Sequence, residues 1–153
     1  MARLDRMPEP MRFHLAKLPC PSFENQPWVS GPPLARRRVS LISTAGLHRR
    51  GDRPYDGMTG DYRVIPGTIN ARDLVMTHVS TNFDRTGFQQ DWNVVFPLDR
   101  LQELAAGGII GSVAAYHYSF MGAADPAEME PAARNLAVLL KGDQVDAALL
   151  VPV

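Results

Sequence analysis

The run Ala147-Ala148-Leu149-Leu150-Val151-Pro152-Val153 constrains this chain more than any other feature. It is continuously apolar, and the breaker Gly142-Asp143 separates it from a helix-like segment before it. An uninterrupted apolar run of strand length reads as a buried central parallel strand, because a strand with one wet face would alternate. Parallel strands need crossover connections and cover on both faces, which points to the α/β class. In open α/β sheets the ligand crevice lies outside the carboxyl ends of the strands. Attention therefore goes to the edge toward which Val153 points. With no covering helix after this strand, the chain is expected to be truncated there, and poorly folded or aggregation-prone as it stands.

Strand-like and helix-like segments alternate upstream. Val39-Ser40-Leu41-Ile42-Ser43-Thr44 reads as a strand that ends at Ala45-Gly46, and a loop rich in Gly, Pro and Asp spans 51–60. A short strand fits Tyr62–Ile65, another fits Asp73–Thr77, and a third fits Ser112–Tyr116. Leu98, Leu101 and Leu104 share one helical face after Pro97, and Gly107-Gly108 stops that helix. A second helix covers about 126–141, with Asp125 as N-cap, Glu128 three residues on, and Pro131 inside the pattern. The expected fold is a mainly parallel α/β sheet with helices on both faces. Residues 1–35 hold seven of the thirteen prolines and little periodicity, so they read as an extended arm laid on the domain through Phe23, Trp28 and Leu34. Residues 36–153 form the domain. The triplet Arg36-Arg37-Arg38 at its start suits either a solvated strand entry or an anion.

Composition narrows the class further. Sixteen basic residues balance sixteen acidic ones, which gives no footprint for nucleic acid or an anionic membrane. No apolar run approaches the ~20 residues of a bilayer span, the N-terminus lacks a signal peptide's apolar core, and Cys20 is the one cysteine. A cytoplasmic protein is the expectation. Cys20, between Pro19 and Pro21, has no identifiable activating partner and reads as structural.

Three of the four histidines follow expected strands: His48, His78 and His117. If those strands are parallel, all three sit at the carboxyl edge. One histidine alone is more readily a hydrogen-bonded structural residue, whereas three at one edge suit a site equally well. The loop 79–95 brings polar groups to the same edge. Asp84 and Asp91 could meet an ammonium group, and Arg85 and Asn93 a carboxylate, although local turns explain such residues too. A metal held by His48, His78, His117 and Asp84 is conceivable, but no compact ligand spacing supports it, and none is expected. Ser43-Thr44-Ala45-Gly46 lacks the full glycine signature of a dinucleotide loop.

Four blocks carry a specific resemblance. They are Val39-Ser40-Leu41-Ile42-Ser43-Thr44-Ala45-Gly46-Leu47-His48, Asp91-Trp92-Asn93-Val94-Val95-Phe96-Pro97-Leu98-Asp99-Arg100-Leu101, His117-Tyr118-Ser119-Phe120-Met121-Gly122 and 145–153. In this order they resemble the selenoprotein B family of glycine, sarcosine, betaine and D-proline reductases. The resemblance implies an oxidoreductase component that works with other reductase subunits and a thiol or selenol electron donor. A pyruvoyl group on a partner polypeptide can hold a substrate amine in such systems. A selenocysteine or cysteine then takes part in reductive cleavage, as suits a low-pKa nucleophile. The resemblance places that residue after the strand equivalent to 147–153, so the catalytic nucleophile is expected beyond Val153. It offers His48, His78, Asp84, Asp91, Asn93 and His117 as substrate-binding residues. The alternative is a non-catalytic α/β subunit or small-molecule binding module complete at Val153.

Overall fold

The computed structural model describes residues 4–17, 22, 24, 26–80 and 85–153. The N-terminal arm contains a helix, α1 (Glu9–Ala16), where little periodicity is visible in the sequence. Trp28 and Leu34, expected to pin the arm to the domain, are 88% and 54% exposed, and Phe23 lies outside the described residues.

The domain begins with β1 (Arg38–Ser43), followed by β2 (Leu47–Arg49), β3 (Tyr62–Pro66) and β4 (Leu74–Met76). The stretch read as one polar loop then holds α2 (Thr86–Gln90) and a 3-10 turn at Trp92–Val94. Helix α3 (Leu98–Ala106), strands β5 (Ser112–Val113) and β6 (Tyr116–Phe120), helix α4 (Pro126–Gly142) and strand β7 (Ala147–Val151) complete the order. Asp125 caps α4 by accepting from Ala127 N at 2.9 Å, and Pro131 is accommodated inside that helix.

Strand β1 is the organising strand. It pairs parallel with β7 along one side, from Val39↔Ala147 to Ser43↔Val151. On its other side it pairs parallel with β5 and then with β6. The break between β5 and β6 is fixed by Asp143, whose carboxylate accepts from Ala115 N at 2.9 Å and from Arg38 Nη2 at 2.6 Å. Strand β3 adds antiparallel to β6. The sheet is thus mainly parallel, as the alternation of elements implies.

Alternate residues point to opposite faces. On one face Val39, Leu41 and Ile65 pack with Phe96, Leu98 and Leu101, which puts α3 and its entry segment there. On the other, Tyr118, Phe120 and Ile42 pack with Leu136, Met129 and Leu140 of α4. Helices therefore cover both faces. The expected strand at 73–77 departs from the sequence reading. Its core, β4, pairs antiparallel with β2 in a separate two-stranded ribbon, His48↔Val75. The ribbon lies on the α3 face, because Leu47 N donates to Ser119 Oγ of β6 at 2.9 Å.

The terminal apolar run forms a parallel strand, as expected. Strand β7 is parallel, but among the described residues it pairs with β1 only, and so it forms an edge. Leu149 is 41% exposed and Leu150 66%.

Candidate functional site

The carboxyl ends of β1, β6 and β7 meet at one corner, which Thr44 closes. Its N–H donates to Val151 O at 3.1 Å, and its hydroxyl accepts from Val153 N at 2.9 Å. Beyond β6, Gly122 has φ +80°, and a Cβ there would lie 2.6 Å from both Cβ and the carbonyl oxygen of Thr44. Gly46 has φ +64°, donates to Phe120 O at 2.9 Å, and would place a Cβ 2.9 Å from His78 N. Glycine is required at both positions, for the left-handed backbone and for the close approach. These two turns let the segment after β4 close against the ends of β1 and β6.

His78 stands at this corner and is buried. Its Nδ1 accepts from Ser80 N at 3.0 Å, which assigns the ring proton to Nε2 in the neutral form. Burial, and then the charge of Arg85, lower its pKa, so at neutral pH the ring is an uncharged donor at Nε2. Arg85, read from sequence as able to hold a carboxylate, donates to the backbone oxygen of Ser80 at 2.7 Å and organises this loop.

The other two histidines do not share the edge. His117 lies inside β6 rather than after a strand, fully buried, with Nδ1 accepting from Leu41 N at 3.0 Å. Phe96 packs edge-on against it, ring centroids 5.8 Å apart. Burial pushes its pKa down to about 4. His48 lies on β2, which runs back over the sheet face, and its Nδ1 donates to Arg49 O at 2.9 Å. The common edge required a parallel strand before His78 and a strand ending before His117, and neither condition holds. Among the described residues, no group of three or more His, Cys, Asp or Glu is arranged to hold a metal ion.

Asp91 and Asn93 are brought together, on an open cleft of about 560 Å³ that Arg50, Arg72, Trp92, Asp99 and Arg100 also line. Asp91 accepts from Asn93 N at 2.9 Å and Nδ2 at 2.8 Å, and these bonds hold its carboxyl below the usual range. Asn93 Nδ2 and Trp92 Nε1 both donate to Asp99 Oδ2, at 2.9 and 2.7 Å, and Asp99 N donates back to Asn93 Oδ1 at 3.1 Å. The Asp-x-Asn block is therefore a closed polar knot that sets the start of α3. Asp84 lies outside the described residues.

Thr44, Gly122 and Arg100 lie within the blocks quoted from the sequence, where none carries a role, and Arg50 and Arg72 lie outside them. Gly122 was legible as the breaker after a strand. Arg50 and Arg72 gave no signal, because they lie 22 positions apart and only the ribbon joins them.

The chain is an α/β protein with a mainly parallel sheet, and in open sheets of this class ligands bind outside the carboxyl ends of the strands. Residues 61–153 match the family model for glycine/sarcosine/betaine reductase selenoprotein B, and the chain belongs to that family. The D-proline reductase subunit gamma of Acetoanaerobium sticklandii is 33% identical over 116 residues, which cover 73% of this chain and 47% of the relative. The glycine reductase complex component B subunit gamma of Symbiobacterium thermophilum is 29% identical over 147 residues, covering 90% of this chain and 33% of the relative. The chain thus spans about half the length of the first and a third of the second. No solved structure matches it significantly. No helix among the described residues is long and apolar enough to cross a membrane.

Proposed function

We propose that this chain contributes the scaffold of a reductase-complex subunit that reductively cleaves a small substrate at the carboxyl edge of the sheet. The observation that carries this is the meeting of β1, β6 and β7 at Thr44, Gly122 and His78, within a family of reductase components. The redox-active group is a selenocysteine or cysteine outside residues 1–153, delivered to this corner within the assembled complex. A thiol or selenol donor supplies two electrons, and with two protons these convert a carbon–nitrogen bond into C–H and N–H. Three features of the corner suit that chemistry. Thr44 fixes the direction of the chain at Val153, Gly122 lets the chain after β6 pass directly against it, and buried neutral His78 closes the corner without adding charge.

The same reading assigns this chain other reductase subunits as partners, consistent with relatives named as subunits. His48 and His117 then support the site from beneath, while Asp91 and Asn93 hold the neighbouring loop. The test is substrate-dependent cleavage of glycine, sarcosine, betaine and D-proline by the assembled complex with a dithiol reductant. Thr44→Val and Gly122→Ala should each lower kcat at least ~10-fold, since misplacing a reacting group by about 1 Å costs ~10²-fold. The exposed Arg134→Gln should not. Undiminished turnover in a complex lacking this chain would favour a non-catalytic binding subunit.

A further inference from the structure

The cleft beside the Asp-x-Asn block has a chemistry that the reductase reading leaves unused. Three arginines line it from three separate segments: Arg50 after β2, Arg72 before β4 and Arg100 in the first turn of α3. Arg50 Nη2 donates to the backbone oxygen of Arg72 at 3.1 Å, and among the described residues Arg50 makes no ion pair. Arg72 is a loose 3.9 Å from Asp73. Arg100 meets Glu103 at 2.8 Å, but both side chains are about 60% exposed, and a pair so wet is easily exchanged for another anion.

The two carboxylates on the cleft each hold two donors on one oxygen, and Asp91 also feels the charge of Arg100. Asp91 accepts two bonds from Asn93, and Asp99 accepts from Trp92 and Asn93. The neighbouring Arg49, by contrast, is already held by Asp52 at 2.9 and 3.0 Å in a two-pronged pair. The cleft therefore gathers three arginines, none held by a two-pronged buried ion pair, beside a half-buried indole, and at about 560 Å³ it lies in the range of small-molecule sites.

We propose that this cleft binds a small-molecule oxyanion, a carboxylate or phosphate gripped by Arg50, Arg72 and Arg100 beside Trp92. A guanidinium fork matches both groups through paired hydrogen bonds. The proposal is independent of the reductase reading, because it concerns binding alone. It is tested on the full chain by following the Trp92 indole N–H, which Asp99 anchors, during titration with inorganic phosphate or succinate at constant ionic strength. A saturable shift with either probe supports the site and identifies which oxyanion it prefers. Arg50→Gln should weaken that binding ~10-fold, the loss of about one charge-assisted contact, whereas Arg49→Gln should leave it unchanged. No response to either probe, a response that chloride reproduces, or equal weakening by both substitutions would overturn it.

Discussion

Strands β6 and β7 invert the usual relation between hydrophobicity and burial. β6 reads Tyr-His-Tyr-Ser-Phe, and its residues 117–120 are all buried, with His117 and Ser119 wholly inaccessible. β7 reads Ala-Ala-Leu-Leu-Val and is exposed along its middle. The cause is position in the sheet. β6 lies between β3 and β1, beneath the ribbon on one face and α4 on the other. Most of its buried polar groups are matched, although His117 Nε2 finds no partner among the described residues. His117 Nδ1 takes Leu41 N, Ser119 Oγ takes Leu47 N, and the carbonyl of Ser119 accepts from buried Tyr55. Burying a polar group is tolerable when it is hydrogen-bonded, and such matching fixes one register and one set of neighbours. β7 has no such matching and, among the described residues, one partner strand.

The contrast can be broken most directly at Phe96, which is fully buried against His117. Phe96→Ala should cost about 3–5 kcal/mol, the range for removing a buried aromatic ring. Urea unfolding monitored by circular dichroism would measure it. A loss near zero would mean that the β6 interior is not closely packed.

The pH dependence should carry the mark of the same interior. His117 has its pKa lowered from 6.5 to about 4, so the unfolded chain gains a proton before the folded one does. Its contribution to stability is complete above about pH 6.5 and is lost as pH falls toward 4, by about 3 kcal/mol in all. His117→Asn keeps an acceptor for Leu41 N and cannot titrate, so it should flatten this part of the profile. Unfolding midpoints between pH 7 and 4.5 for both proteins would show the difference. Parallel profiles would remove His117 as the source. Nitrogen NMR should also find opposite neutral tautomers, Nε2–H at His117 and Nδ1–H at His48.

Next in size is Gly122→Ala, which forces a side chain against Thr44 in a left-handed backbone. It should destabilise by about 1–3 kcal/mol and remove the protection of the Val153 amide against hydrogen exchange. Unchanged exchange at Val153 would separate Thr44 from the corner.

These positions show what the sequence could and could not carry. Helices α3 and α4 were legible because caps, breakers and apolar spacing agree over several turns. Parallel pairing followed from the alternation of elements. The antiparallel ribbon was not legible, since β2 and β4 have three residues each and too short a pattern to reveal direction. Histidine placement failed for the same reason. Slipping the start of β6 to Tyr116 moves His117 from the rim into the sheet. Asp91 and Asn93 meet because two positions separate them across one turn, while Arg50 and Arg72 depend on the register of the ribbon.

The smallest expected effect tests the other half of the comparison. Leu150 is 66% exposed, so Leu150→Ala removes little buried surface and should change stability by no more than about 0.5 kcal/mol. The same exposure makes β7 hazardous. Residues 147–151 carry no charge, no proline and no bulge, the devices that usually protect an edge strand. Leu150→Lys should therefore leave the unfolding midpoint nearly unchanged and raise the concentration at which the chain stays monodisperse in light scattering. A loss of more than about 2 kcal/mol in either variant would show that this strand is buried in solution, on the scale of a core leucine. The inversion between β6 and β7 would then vanish, and the apolar run would be as interior as its sequence implies.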